Sequence, residues 1–216
     1  MFGIRSQANQ DIPSLPYAIA DDSNGDFPLD TQGIIRIPGD DDPFFGIVDT
    51  INGIGSDVNV ATWTFDTSSL LSGMELSIDF AAMGDFDYLI SGPNTIDSFV
   101  FEYAIDDGPL VVLFGSTIDE DASQNYTMAN STPVILDDPV LINGVMLTNS
   151  FITLSEGIPE IGNSLTLRFT AECDGGSEAF AFRNIEVYGV VPEPASIALF
   201  ALGCCFCLFR GVRRKR

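Results

Sequence analysis

The alternation between Met74 and Ala82 constrains this chain more than any other stretch. Met74, Leu76, Ile78, Phe80 and Ala82 occupy every second position, with Glu75, Ser77 and Asp79 among the residues between them. A period of two puts successive side chains on opposite faces of an extended strand, so one face seeks a core and the other seeks water. The period returns in Val58 to Phe65, where Ala61, Trp63 and Phe65 oppose Thr62 and Thr64. It returns again in Phe99, Phe101, Tyr103 and Ile105. Leu165, Leu167, Phe169 and Ala171 alternate with Ser164, Thr166, Arg168 and Thr170. Asp106-Asp107-Gly108-Pro109 has the composition of a hairpin turn.

Shorter strands are expected at Gly33 to Pro38, Phe44 to Val48, Val134 to Leu136, Gly144 to Leu147 and Phe151 to Leu154. Leu110 to Phe114 is continuously apolar, which predicts a central strand buried on both faces. Ala179 to Tyr188 carries a slip: Phe180 and Phe182 are even, whereas Ile185 and Val187 are odd. That predicts a β-bulge near Arg183-Asn184, or a strand covered on both faces. About nine to eleven strands with no amphipathic helix among them predict an all-β fold, a jelly-roll-like antiparallel β-sandwich. The long connection over residues 115–150 favours a jelly roll over a meander.

The last stretch is of a different kind. Pro192-Glu193-Pro194 is stiff and cannot join a helix or a sheet interior. Ala195 to Phe209 is apolar and uncharged, and Arg210, Arg213, Arg214, Lys215 and Arg216 form a basic end. The apolar run makes roughly 22 Å of helix at about 1.5 Å per residue. That is short for a bilayer core of about 30 Å, and snorkelling arginines recover part of the difference. The positive-inside rule places the basic end in the cytoplasm and the body across the membrane. A buried terminal helix and a plain tail anchor are the competing readings.

The three-part order of tripeptide, apolar segment and basic cluster resembles the PEP-CTERM sorting signal of exported bacterial proteins. By that resemblance, Pro192, Glu193 and Pro194 are the recognition and processing site for an exosortase-type enzyme. Residues 195–209 are then a transient transmembrane helix, and residues 210–216 a stop-transfer end. Gly211 and Val212 interrupt the basic run, and Cys204, Cys205 and Cys207 lie in the membrane segment, which are departures from the pattern. An exported chain needs an apolar leader, and residues 1–20 read instead as an irregular arm with Pro13 and Pro16. We therefore expect the true signal peptide upstream, through a start codon assigned too late, or else a mature or truncated chain. The expected organisation is an arm over 1–20, a sandwich over 21–189, a linker over 190–194, and the helix and basic end.

All 31 acids lie at or before Glu193, against Arg5, Arg36, Arg168 and Arg183 as the cations of that part. Such a surface repels nucleic acid and favours divalent cations, high salt or basic partners. A merely solvated acidic surface is the simpler reading. There is no histidine, which removes Ser/His and Cys/His nucleophile pairs and the usual catalytic zinc shell. Only Cys173 lies outside the tail, so the body has no intrachain disulfide.

Asp22, Asn24 and Asp26 have the spacing of oxygen ligands around calcium. The glycines are wrong for an EF-hand: Gly25 is fourth and Gly33 twelfth. An acidic turn and a calcium loop of another kind both remain open. No other cofactor is expected. Asp85 and Asp87 read as solvated turn residues, and no convergent catalytic carboxylate pair is expected. Trp63 reads as core sooner than as a sugar platform, and Gly53-Ile54-Gly55 is no phosphate loop because no helix follows it.

The segments FFGIVDTIN, LSIDFAA, SFVFEYAIDDG, LTLRFTA and AFAFRNIEVYG together resemble lectin-like jelly-roll domains of secreted marine bacterial proteins, over about residues 44–189. In those domains an aspartate often precedes the final-strand asparagine near a structural cation. Here Arg183 stands before Asn184. The resemblances imply an exported, non-enzymatic surface or matrix protein, in adhesion or biofilm, with polysaccharide as a possible partner. The alternatives are a carbohydrate-binding module and a glycan-active hydrolase or lyase.

Overall fold

The computed structural model describes residues 2–5, 42–50, 59–87, 97–127, 133–175 and 178–189. Among these residues there are thirteen strands and no helix. In chain order they are β1 (Phe2–Arg5), β2 (Phe44–Val48), β3 (Asn59–Asp66), β4 (Met74–Met83), β5 (Ser98–Ile105), β6 (Val111–Ile118) and β7 (Ser123–Thr127). There follow β8 (Pro133–Asp137), β9 (Val140–Ile142), β10 (Val145–Met146), β11 (Ile152–Ile158), β12 (Ser164–Glu172) and β13 (Ala179–Tyr188). The expected strand at 33–38, the arm beyond Arg5, and Asp22, Asn24 and Asp26 lie outside the described residues. So do Gly53 to Gly55 and everything from residue 190 on. Phe2–Arg5, expected within the irregular arm, instead pairs with Phe44–Ile47 as an edge strand.

Every strand pairing is antiparallel. Five strands form one sheet in the order β1-β2-β13-β4-β11, and six form a second in the order β10-β9-β6-β5-β12-β3. β7 and β8 make a separate hairpin. The inner faces of the two sheets meet in one aromatic core. Phe80 and Phe180 come from the first sheet and Phe99, Phe101, Phe114 and Phe169 from the second, all fully buried. Phe99 stacks on Phe180 with ring centroids 4.2 Å apart, and Phe101 on Phe169 at 4.5 Å. Offset and edge-on rings such as these add about 0.5–1.5 kcal/mol per pair beyond the burial of their area. The alternation of β4 and β12 is borne out, since Leu76, Ile78, Leu165, Leu167 and Phe169 are all buried.

The slip in β13 is a bulge. Its register on β4 shifts between Arg183 and Glu186, and Asn184 takes a left-handed φ of 52°. The extra residue changes which parity faces inward, from Phe180 and Phe182 before it to Ile185 and Val187 after it. The first half of β13 is also covered on both faces. Ala179 and Ala181 point outward with Ala81 and Met83 of β4, where they pack with Phe44, Val48, Tyr126 and Val134. Tyr126 and Val134 belong to the β7–β8 hairpin, which roofs this half of the five-stranded sheet.

The strand expected over Leu110–Phe114 is central, since β6 lies between β9 and β5, but it is not buried on both faces. Val112 is 60% exposed and Val111 45%, while Leu113 and Phe114 are buried. Phe101 faces Phe114 but Glu102 faces Val112, so Leu113 is an extra residue in a bulge. The unbroken apolar run reflects that bulge together with exposed valines at the start of the strand, and not burial on both sides.

Candidate functional site

Strand pairing gathers acids at one end of the sandwich. Ala179 at the start of β13 pairs with both Val48 of β2 and Met83 of β4. Glu172 at the end of β12 pairs with Ser98 at the start of β5. The residues just after β2, β4 and β12 and just before β5 and β13 therefore meet. They are Asp49-Thr50, Gly84 to Asp87, Cys173 to Gly175, Asp97 and Glu178.

Thr50 ties the two sheets together here. Its backbone N–H donates to the Cys173 carbonyl at 2.7 Å, and its hydroxyl accepts from the Cys173 N–H at 2.9 Å. Asp97 is 2% exposed, and its carboxylate accepts from the backbone N–H of Asp87 at 2.7 Å and of Asp174 at 3.3 Å. Glu178 is 5% exposed and accepts from the Gly175 N–H at 2.8 Å. The Cys173 thiol lies 3.6 Å from the same carboxyl and donates to the Glu178 carbonyl at 3.4 Å. Two glycines make room for Glu178. A Cβ on Gly175 would come within 2.2–2.4 Å of its carboxyl group, and one on Gly84 within 2.8 Å of its Cα.

Burial pushes the proton affinity of both buried acids up, and the neighbouring acids push it further. For Glu178 desolvation leads, followed by the charges of Asp97 and Asp174. For Asp97 desolvation also leads, and the charge of Asp174 adds to it while the backbone donors pull the other way. Ligand oxygens of the two carboxyls lie within 4.8 Å of each other, and a pair of acids so close is relieved when it keeps one proton. Around them Asp87 is raised by desolvation and then by Asp174, Asp85 and Glu120, and Asp85 by desolvation and then by Asp137. The two arginines whose side chains are described are engaged elsewhere, Arg168 with Glu102 and Arg183 with Asp79.

Two overlapping sets could hold a metal ion: Asp97, Cys173 and Glu178, and Asp87, Asp174 and Glu178. In each set the ligand atoms lie within 4.8 Å of one another. Carboxylates in this density suit a hard divalent cation such as calcium or magnesium. The thiol is a poor partner, because burial and the two acids hold Cys173 well above its ordinary range and keep it protonated.

Sequence reasoning missed Asp97, Asp174 and Glu178, and read Asp87 only as a solvated turn residue. No convergent catalytic pair in a cleft is expected from the sequence; Asp97 and Glu178 converge as buried side chains. Both carboxyls are buried and accept from the backbone N–H groups of Asp87, Asp174 and Gly175. Trp63 is half-buried, with its ring edge-on to Phe182 at 5.7 Å and to Phe45 at 6.2 Å. It lines an apolar crevice of about 360 Å³ with Ile4, Phe65 and Ile185, so it is core at its inner edge and accessible at its rim. The position before Asn184 holds a cation of its own: the Arg183 guanidinium lies 4.2 Å over the Phe151 ring and 3.7 Å from Asp79. Among the described residues no helix is long and apolar enough to cross a membrane.

The fold and site together define an all-β, sandwich-like protein with a buried acidic end. No protein-family model matches the sequence, and no curated protein matches it either.

Proposed function

We propose that this chain is an exported, non-enzymatic surface or extracellular-matrix protein. It is a jelly-roll-like sandwich delivered by a C-terminal signal of the PEP-CTERM kind, with a role in adhesion or biofilm. One observation carries the reading. A body with 31 acids ends abruptly in Pro192-Glu193-Pro194, an uncharged apolar run over 195–209, and the cations Arg210, Arg213, Arg214, Lys215 and Arg216. An oily, cation-ended tail behind a rigid hinge serves an anionic β body poorly as core and well as an address for a membrane-bound processing enzyme. The jelly-roll description is supported by the way the chain crosses between sheets, from β2 to β3 to β4 to β5 and again from β11 to β12 to β13.

The test is the intact mass of the protein recovered outside cells that contain an exosortase-type enzyme. The expected chain ends near Pro194. Recovery only from the inner membrane, with Arg216 still present, overturns the reading in favour of a tail anchor.

A second reading concerns the cation. In this reading, a structural calcium ion sits at Asp87, Asp97, Asp174 and Glu178. The burial of Asp97 and Glu178 beside further acids favours it. Calcium titration followed by thermal unfolding tests it, and a melting temperature that is the same with calcium and with chelator rejects it.

A further inference from the structure

A sheet edge is a row of unpaired backbone N–H and C=O groups that invites another strand. Folded proteins blunt it with short strands, glycine or proline, bulges, or inward-pointing charges. The edges among the described strands are β1 and β11 of the five-stranded sheet and β10 and β3 of the six-stranded one. β1 has four residues and β10 two. β11 carries Gly157, and it sets Glu156 on the same parity as the core-facing Ile152 and Leu154, where Glu156 accepts from the Asn143 amide at 2.8 Å. β3 has none of these devices. Its eight residues hold register with β12 from Asn59 to Asp66 without a bulge, a glycine or a proline.

The core is also unfinished at this edge. Leu165, Leu167 and Phe169 of β12 are fully buried, whereas their β3 partners Phe65, Trp63 and Ala61 are only half-buried. Trp63 and Phe65 rim the apolar crevice of about 360 Å³ that they share with Ile4 of β1 and Phe45 of β2. On the outer face Val60 is 53% exposed, beside exposed Thr62 and Thr64. A further strand laid along β3 covers both rings and supplies the missing row of hydrogen bonds.

We propose that β3 pairs antiparallel with β3 of a second copy of this chain, joining two six-stranded sheets edge to edge. Charge favours that occupant. All 31 acids precede the tail, against Arg5, Arg36, Arg168 and Arg183, so two copies repel over most of their surface and can meet only where acids are absent. β3 carries one charge, Asp66 at its last position, whose carboxylate is held by the Ser68 N–H at 3.0 Å and the Ser68 hydroxyl at 2.6 Å.

The strand is also complementary to itself. A two-fold axis at Trp63 sets Ala61 against the partner's Phe65, Thr62 against the partner's Thr64, and Val60 against the partner's Asp66. Small meets large, threonine meets threonine, and the two aspartates stand at opposite ends. Thr–Thr and aromatic pairs are favourable across strands, and like charges are kept apart. Because β11 is guarded, the pairing closes at two copies. This inference goes beyond the export reading and does not depend on it.

The test is sedimentation of the full chain in a density-matched non-ionic detergent. The wild type is compared with two double variants, Thr62→Lys with Thr64→Lys, and Thr62→Glu with Thr64→Glu. Both positions are exposed, so neither variant removes core, and thermal unfolding of each checks the fold. The wild type should sediment at about twice the chain mass of 23.3 kDa. Each variant alone should sediment at the chain mass, its self-association weakened tenfold or more. An equimolar mixture of the two should return to twice the chain mass, because the charges facing each other are then opposite. A wild type of chain mass throughout the micromolar range, undiminished association of the folded variants, or a mixture that stays at chain mass overturns the proposal. Backbone amide exchange of the wild type gives a reading that needs no variant. Protection over Val60 to Asp66 should rise with protein concentration while that of Thr153 to Gly157 stays constant, and a β3 that does not respond overturns the proposal as well.

Discussion

Glu178→Gln should remove most of the dependence of stability on pH between 6 and 8. The chain has no histidine, so very little titrates in that window apart from acids displaced upward. Burial and the neighbouring acids raise Asp97 to about 6 and Glu178 to about 9. Cys173 is pushed well above its ordinary range and stays protonated in the fold, whereas the unfolded thiol begins to ionise at about pH 8, so it adds a slope there that both proteins share. An acid with a raised affinity in the folded state binds a proton that the unfolded state has already released. Stability is therefore fully present at low pH, begins to fall above the ordinary carboxylate range near pH 4, and goes on falling to about pH 9.

One proton of difference gives a slope of about 1.4 kcal/mol per pH unit. From pH 6 to 9 that is at most about 4 kcal/mol, a large part of a typical domain stability of about 5–15 kcal/mol. Glutamine mimics the protonated acid, because its carbonyl can accept from the Gly175 N–H and its amide can donate to Asp97. The variant should match the wild type near pH 6 and exceed it increasingly towards pH 9. Urea unfolding followed by the emission of Trp63, the single tryptophan, measures this at each pH. All other titrating groups are common to both proteins, so their difference isolates the pair. A difference between variant and wild type that stays constant from pH 6 to 9 refutes the shared-proton argument.

The other predictions concern packing and the site's ligands. Phe101→Ala removes a fully buried ring that contacts Phe80, Phe114, Phe169 and Phe182, and should cost about 3–5 kcal/mol in the same unfolding assay. Tyr126→Phe deletes a buried hydroxyl without a hydrogen-bond partner, so stability should hold or rise by about 1 kcal/mol; a clear loss would reveal a missed partner. Arg168→Ala breaks a partly exposed pair with Glu102 and should cost less than about 1 kcal/mol, more of it at low salt. Millimolar calcium should raise the wild-type melting temperature at pH 8 and leave Asp97→Asn unresponsive, as differential scanning calorimetry would show.

Features that depend on one strand alone could be read from the residues. The alternation in β4 and β12 survives folding because a period of two needs no partner to define its faces. The bulge in β13 was visible for the same reason, since a change of parity from Phe182 to Ile185 is written along a single strand. The bulge in β6 was not, because it exists only in the pairing of Phe101 and Glu102 with Phe114 and Val112. Nor was the roof over Ala81, Ala179 and Ala181. Small residues on an outward face are neutral until Tyr126 and Val134 arrive from a hairpin far along the chain.

The acidic end was hidden by its own abundance. Among 31 acids, spacing singled out Asp22 and Asp26, with Asn24 between them, which happen to be neighbours in sequence. The acids with displaced proton affinities instead come from strand ends: Asp97 before β5, Glu178 before β13 and Asp87 after β4. What sets them apart is burial, and burial here is decided by β13 lying between β2 and β4 and by β12 lying against β5. A solvated aspartate contributes little either way, whereas a carboxylate 2% exposed beside another 5% exposed must keep a proton, take a cation or lose stability. Where a protein is acidic throughout, the informative acids are the few that its strand pairing takes out of water.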